Sequence, residues 1–163
     1  DTAVDVLINC AGLYDNPASS VEDESVYNQL GDILNVYAVN SAAPKILADR
    51  LAPHLLKGTH KLVVSLSSGM GSHSQLDEYN AEHWVYSSSK AALNMAMHAF
   101  AVENPQIKSI LFSPGWMNTS MGGKEAPIDP KIVAEKLFTL ITKNIDSLMS
   151  GTCIQSEGKR LEW

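Results

Sequence analysis

An α/β fold, a parallel sheet covered on both faces by helices, is the class this sequence predicts. Three observations carry it. Short apolar runs recur along the 163 residues, stretches of helical periodicity lie between them, and the runs end in small or polar residues. Strands alternating with helices mean βαβ units. Strands that are apolar throughout, rather than at every second residue, belong in a sheet buried on both faces.

The first strand is read at Asp5–Gly12, where Val6-Leu7-Ile8 runs into Asn9-Cys10-Ala11-Gly12. A helical stretch follows at roughly residues 31–57. Inside it Pro44 cannot donate the backbone bond that would go to the carbonyl of Asn40, so a bend is expected there. Lys61–Ser67 gives the second strand and Ser67-Ser68-Gly69 its end. Gly69–Val85 reads as an enlarged loop holding His73, Asp77, Glu78, Tyr79, His83 and Trp84. Their spacing matches no metal-ligand pattern, so no metal is expected and the loop is assigned to substrate. A helix at roughly 84–103 follows, then a strand at Lys108–Phe112 ending in Ser113-Pro114-Gly115-Trp116, a helix at roughly 130–144, and a weaker fourth strand at Gly151–Gln155. Residues 1–163 form a single domain by length, with no repeat or linker.

Net charge is formally −6 with no Lys/Arg cluster, which speaks against nucleic acid and acidic membrane surfaces as partners. No apolar stretch approaches the roughly 18 residues of a membrane span. Cys10 and Cys153 follow no metal or redox spacing and are read as two buried reduced thiols of a cytoplasmic protein. His54, His60 and His98 receive no role.

Ligands of parallel sheets bind at the carboxyl ends of the strands. Three successive ends here are built of Gly, Ser, Asn and Pro, which let backbone approach a ligand closely. Tyr86 and Lys90 open the intervening helix four residues apart, on one face. A free tyrosine has a pKa of about 10. A neighbouring ammonium group favours its phenolate, so the pair is read as an acid/base tyrosine tuned downward by lysine.

These residues together resemble the short-chain dehydrogenase/reductase family. Asn9-Cys10-Ala11-Gly12 is similar to its NNAG element with one Asn replaced by Cys, and Pro114-Gly115 followed by Thr119 resembles its PG element and nicotinamide-contacting Thr. Asn40, Ser68, Tyr86 and Lys90 fall where its catalytic tetrad would. Ser68 is preferred to the adjoining Ser67 because the family's Ser-x-x-Gly pattern then lands on Gly71. A narrower resemblance, to the C-factor-like branch with its sniffer-type carbonyl reductases, rests on Ser67–Ser72, Ser88–Asn94, Pro114–Gly123 and Gly158–Trp163.

The resemblance implies a Rossmann-like doubly wound sheet of which this chain is the C-terminal portion, about four strands with flanking helices. It implies an NAD- or NADP-dependent oxidoreductase interconverting a carbonyl and an alcohol. Tyr86 would exchange the proton and Ser68 hold the substrate oxygen. Lys90 would hold the nicotinamide ribose, and the Asn40 carbonyl would keep a relay water. Asn9, Ala11, Gly12, Pro114, Gly115 and Thr119 would lie along the cofactor. The family's Gly-rich pyrophosphate turn is not in the sequence. At roughly 30 residues per βαβ unit, about 70–90 upstream residues are expected, with the carboxyl end complete. A fragment, a processed piece and a natural short product are all compatible with that; the alternative function is a catalytically silent interaction or signalling module. The Ala/Met-rich helix after Lys90 implies a possible homodimer.

Overall fold

The computed structural model describes residues 2–14 and 26–163. Five strands form one sheet in the order β1 (Val6–Asn9), β2 (Leu62–Leu66), β3 (Lys108–Ser113), β4 (Thr152–Gln155) and β5 (Arg160–Leu161). The first four are parallel neighbours, with Asn9 level with Ser65, Leu66 with Phe112, and Ser113 with Gln155. Their carboxyl ends therefore open along one rim. The fifth strand, absent from the sequence reading, is two residues long and antiparallel to β4. It is placed by the turn through Gly158, whose N–H bonds the Gln155 carbonyl.

Alternate residues of the strands feed opposite faces, as the two-residue period requires. Val63, Leu111 and Cys153 pack with Ala48, Leu55, Leu93, Met97 and Phe100 on one side. Leu62, Val64, Ile110, Phe112 and Ile154 pack with Val133 on the other. The first set belongs to helices α2 (Ala43–Leu55) and α4 (Trp84–Glu103), the second to α5 (Pro130–Thr139). Both layers of the doubly wound arrangement are thus present. No helix among the described residues is long and apolar enough to cross a membrane.

Helix α1 (Val26–Tyr37) runs into α2 through a five-residue π turn, Ala38–Ala42, where the Ala43 N–H reaches back to the Ala38 carbonyl. Pro44, at the first turn of α2, lacks the N–H that would continue regular α-helical bonding, and the expected distortion lies directly before it. The segment read as a loop after Ser68 is largely structured. It contains 3-10 turns at Gly69–Gly71 and His73–Gln75 and the short helix α3 (Glu78–Glu82), capped by Asp77 accepting from the Asn80 N–H at 2.8 Å. Its middle is tied to the carboxyl end of the chain, the Ser72 hydroxyl donating to the Glu162 carbonyl and the Ser74 N–H to that of Trp163.

Candidate active site

The rim of the sheet is brought to helix α4 by a close backbone approach. A β-carbon on Gly71 would lie 2.8 Å from the Lys90 carbonyl carbon and 2.9 Å from its Cβ. Only a glycine lets the turn after β2 sit that near. Asn94 secures it, its Nδ2 donating to the Gly71 carbonyl (3.2 Å) while its Oδ1 accepts from the Ser67 hydroxyl (2.6 Å). Ser67 is therefore turned inward to hold the turn. Ser68 stands half-buried at its start, accepting from the Met70 N–H at 3.2 Å.

Tyr86 and Lys90 are both buried, at 8% and 4% exposure. The Lys90 ammonium donates to the Leu66 carbonyl at 2.9 Å and lies 5.6 Å from the centre of the Tyr86 ring. Burial brings Lys90 down to about 8, with the neighbouring Cys10 pulling weakly the other way. Burial also raises Tyr86, and the opposing pull of the nearby Ser68 hydroxyl is the smaller effect. This corrects the expectation of a phenol drawn down by lysine. The ammonium is aimed at Leu66, and the apolar surroundings that disfavour its charge disfavour a phenolate too.

Asn40 is fully buried and its side chain is committed to structure. Its Oδ1 accepts from the Leu13 N–H (2.8 Å), and its Nδ2 donates to the Leu13 carbonyl (2.9 Å) and the Ser89 hydroxyl (2.9 Å). The amide clamps the loop leaving β1 onto α4, a function the sequence reading, concerned with the backbone carbonyl, did not include. The clamp brings Gly12 over the lysine, so that a β-carbon there would lie 3.5 Å from Asn40 Oδ1, 3.6 Å from Lys90 Nζ and 3.9 Å from Met121 Cε.

Other sites read from the sequence are placed less centrally. Asn9 is buried, its Nδ2 donating to the Ser65 hydroxyl at 3.0 Å. Ala11 is exposed. Pro114 is buried, and Gly115 next to it takes φ 84°. The Thr119 hydroxyl accepts from the Gly122 N–H at 3.1 Å within its own loop. Cys153 is buried, which pushes its thiol up to about 12, but Cys10 is exposed. The expectation of two buried thiols fails at Cys10 because β1 ends at Asn9 and the next residue already lies on the open rim. Among the described residues no group of three His, Cys, Asp or Glu could hold a metal ion.

Lys90 and Gly12 are the residues here that could hold the hydroxyls of a cofactor or other polar ligand. Two of the three ammonium donors of Lys90 have no protein acceptor among the described residues, and Gly12 offers bare backbone beside them.

Comparison with known proteins points the same way. The sequence pattern of the short chain dehydrogenase family matches residues 2–128. C-signal of Myxococcus xanthus is 28% identical over an alignment covering 98% of this chain and 93% of that protein. Among solved structures, the carbonyl reductase Sniffer of D. melanogaster superposes with a TM-score of 0.83 at 26% identity, covering 99% of this chain and 67% of that one. An NADPH-bound carbonyl reductase from chicken fatty liver gives 0.82 at 25%, with the same coverage. The chain thus spans nearly all of C-signal and about two thirds of either reductase.

Proposed function

The chain belongs to the short-chain dehydrogenase family, and we propose that its site interconverts a carbonyl and an alcohol with NADP(H), Tyr86 exchanging the proton. The observation that carries this is the burial of Tyr86 and Lys90 against each other beneath Gly12, with the Ser68 hydroxyl near enough to the phenol to act on it. A bound reduced nicotinamide supplies hydride. Tyr86, held protonated at neutral pH by its burial, would donate to the oxygen as charge develops there. Ser68 would hold that oxygen near the phenol, an oxyanion-stabilising task. Lys90 would hold the ribose hydroxyls and replenish the proton through a water kept by the Asn40 carbonyl. Ala11, Gly12, Pro114 and Gly115 would border the cofactor, with Asn9 fixing the rim and Thr119 on the carboxamide. The NADPH in the chicken reductase favours the phosphorylated form over NADH.

A second reading, an interaction or signalling module keeping the fold, is favoured by the match to nearly the full length of C-signal. Fluorescence titration of NADPH and NADH onto the protein separates the two. The reductase reading expects NADPH to saturate on the order of micromolar and to be consumed when a carbonyl compound is added. Binding of neither nucleotide leaves the signalling module.

Assembly as a homodimer is part of the proposal. Leu34 and Ile46, at 58% and 57% exposure, line an apolar groove of about 460 Å³ with Ala92 and Ala96 of α4, the helix on which Met95 is exposed at 67%. Such a patch on one face favours a partner, and a second copy carries the same one. Light scattering is expected to give twice the chain mass, falling to the monomer in Ile46→Lys/Met95→Lys. A wild-type monomer at high concentration removes the idea.

A further inference from the structure

Four rings gather where a substrate must arrive, and three of them have no part in the proton chemistry. Tyr14, on the loop leaving β1, meets Tyr86 edge-on, with centroids 4.7 Å apart and planes at 68°. The same ring lies nearly parallel to the His83 imidazole, at 5.5 Å and 21°. His83 stacks in turn on Tyr79 at 4.3 Å and 29°. The hydroxyls of Tyr14 and Tyr79 are hydrogen-bonded at 2.8 Å. His83 follows α3 directly, and its Nδ1–H donates to the Tyr79 carbonyl at 2.9 Å, which fixes the plane of the imidazole.

Tyr14 makes three kinds of contact at once: an edge against the catalytic ring, a face against an imidazole and a hydroxyl on a phenol. Together they describe what could take its place. Any carbonyl compound approaching the hydroxyl of the buried Tyr86 has to share or win this flank. Resting on the reductase reading, we propose that Tyr14 is a displaceable latch, and that His83 and Tyr79 are the specificity-determining platform receiving a planar, ring-bearing carbonyl substrate in its stead. A flat ring recovers the face contact on His83 and the edge contact on Tyr86, and a saturated ring of equal size recovers neither. Tyr79 is 56% exposed, so its hydroxyl can exchange Tyr14 for a polar substituent on the incoming ring without being stranded from water. The segment after Ser68 thereby gains a use that needs its short helix: α3 carries Tyr79, and its end sets His83 four residues on, beside it.

Benzamide and cyclohexanecarboxamide, unreactive and similar in size, test this by ligand-observed NMR titration. Wild type should bind benzamide about 3–10-fold more tightly, the worth of an aromatic pair. His83→Ala should lower that ratio severalfold, leaving only the smaller preference that the Tyr86 edge supplies. His83→Leu, which keeps a side chain filling the position, should do the same. Tyr14→Ala should tighten benzamide, because no latch is displaced. Tyr86→Phe keeps its ring and should leave the ratio unchanged. A wild-type ratio near one, a ratio indifferent to both His83 variants, or weaker benzamide binding by Tyr14→Ala overturns the assignment. Failure of the reductase reading shows differently, as an intact preference for benzamide without carbonyl-dependent consumption of NADPH.

Discussion

Tyr86→Phe should lower carbonyl reduction by about 10²–10⁴-fold, the usual contribution of a positioned acid/base group, while leaving the fold and NADPH affinity in place. The substitution removes one hydroxyl and no ring. The edge contact with Tyr14 and the packing against Lys90 survive. What disappears is the phenolic hydroxyl beside Ser68, a change in stability of no more than about 1 kcal/mol. The direction of catalysis follows from burial, which raises the phenol and keeps its proton on at neutral pH. The protonated group is the one reduction needs, and oxidation of the alcohol needs the phenolate. Reduction should therefore fall on the alkaline side and oxidation rise. Lys90 sets the first part of that limb, because its charge is lost near pH 8, before the phenol ionises. A Tyr86→Phe protein that reduces carbonyls at the wild-type rate would mean that the proton comes from elsewhere and that the mechanism is wrong.

The strands were legible because the sheet is buried on both faces. Continuous runs such as Leu62-Val63-Val64 carry that signal without help from neighbours. Helix α4, read at roughly 84–103, was legible and spans Trp84–Glu103. Asn40, Ser68, Tyr86 and Lys90 could be singled out from the resemblance, but two of their properties needed the packed structure. The sequence placed a cation beside a phenol and so suggested a lowered pKa, whereas burial works against both charges and is the larger effect. Pro44 signalled a distorted helix, yet nothing local shows that the Asn40 amide would reach a backbone 27 positions away. The Tyr14 cluster was illegible for the same reason, since its hydroxyl partner lies 65 residues on. His83 was legible as one residue of a loop assigned to substrate, and as a metal ligand to be dismissed; its stacking on two tyrosines depends on α3, whose five residues are too few to show periodicity.

Lys90→Met should stabilise the fold at neutral pH while abolishing reduction. Below pH 8 the lysine is charged in both the folded and unfolded chain, and the folded one bears the full cost of holding that charge away from water. The interval between about 8 in the fold and the ordinary 10.5 corresponds to about 3 kcal/mol. Methionine keeps the apolar stem and removes the charge. It also leaves the Leu66 carbonyl without its donor, which returns about 1–2 kcal/mol of the gain. A net increase of about 1–2 kcal/mol remains, a rise in Tm of roughly 2–8 °C for a chain this size. The sign across pH is specific. As the pH rises from 8 to 10.5 the unfolded chain holds a proton that the native lysine has released, so wild type gains stability relative to the variant and overtakes it by the end of that window. The difference between the two proteins is the quantity to follow. Cys153, raised to about 12, destabilises both alike as the unfolded thiol ionises first. A variant less stable than wild type at pH 7, with a gap that does not change between pH 8 and 10.5, would make Lys90 a packing residue whose ammonium is well accommodated. The opposite result identifies a cation held in place against the stability of the fold, as one positioned for a ribose and a phenol has to be.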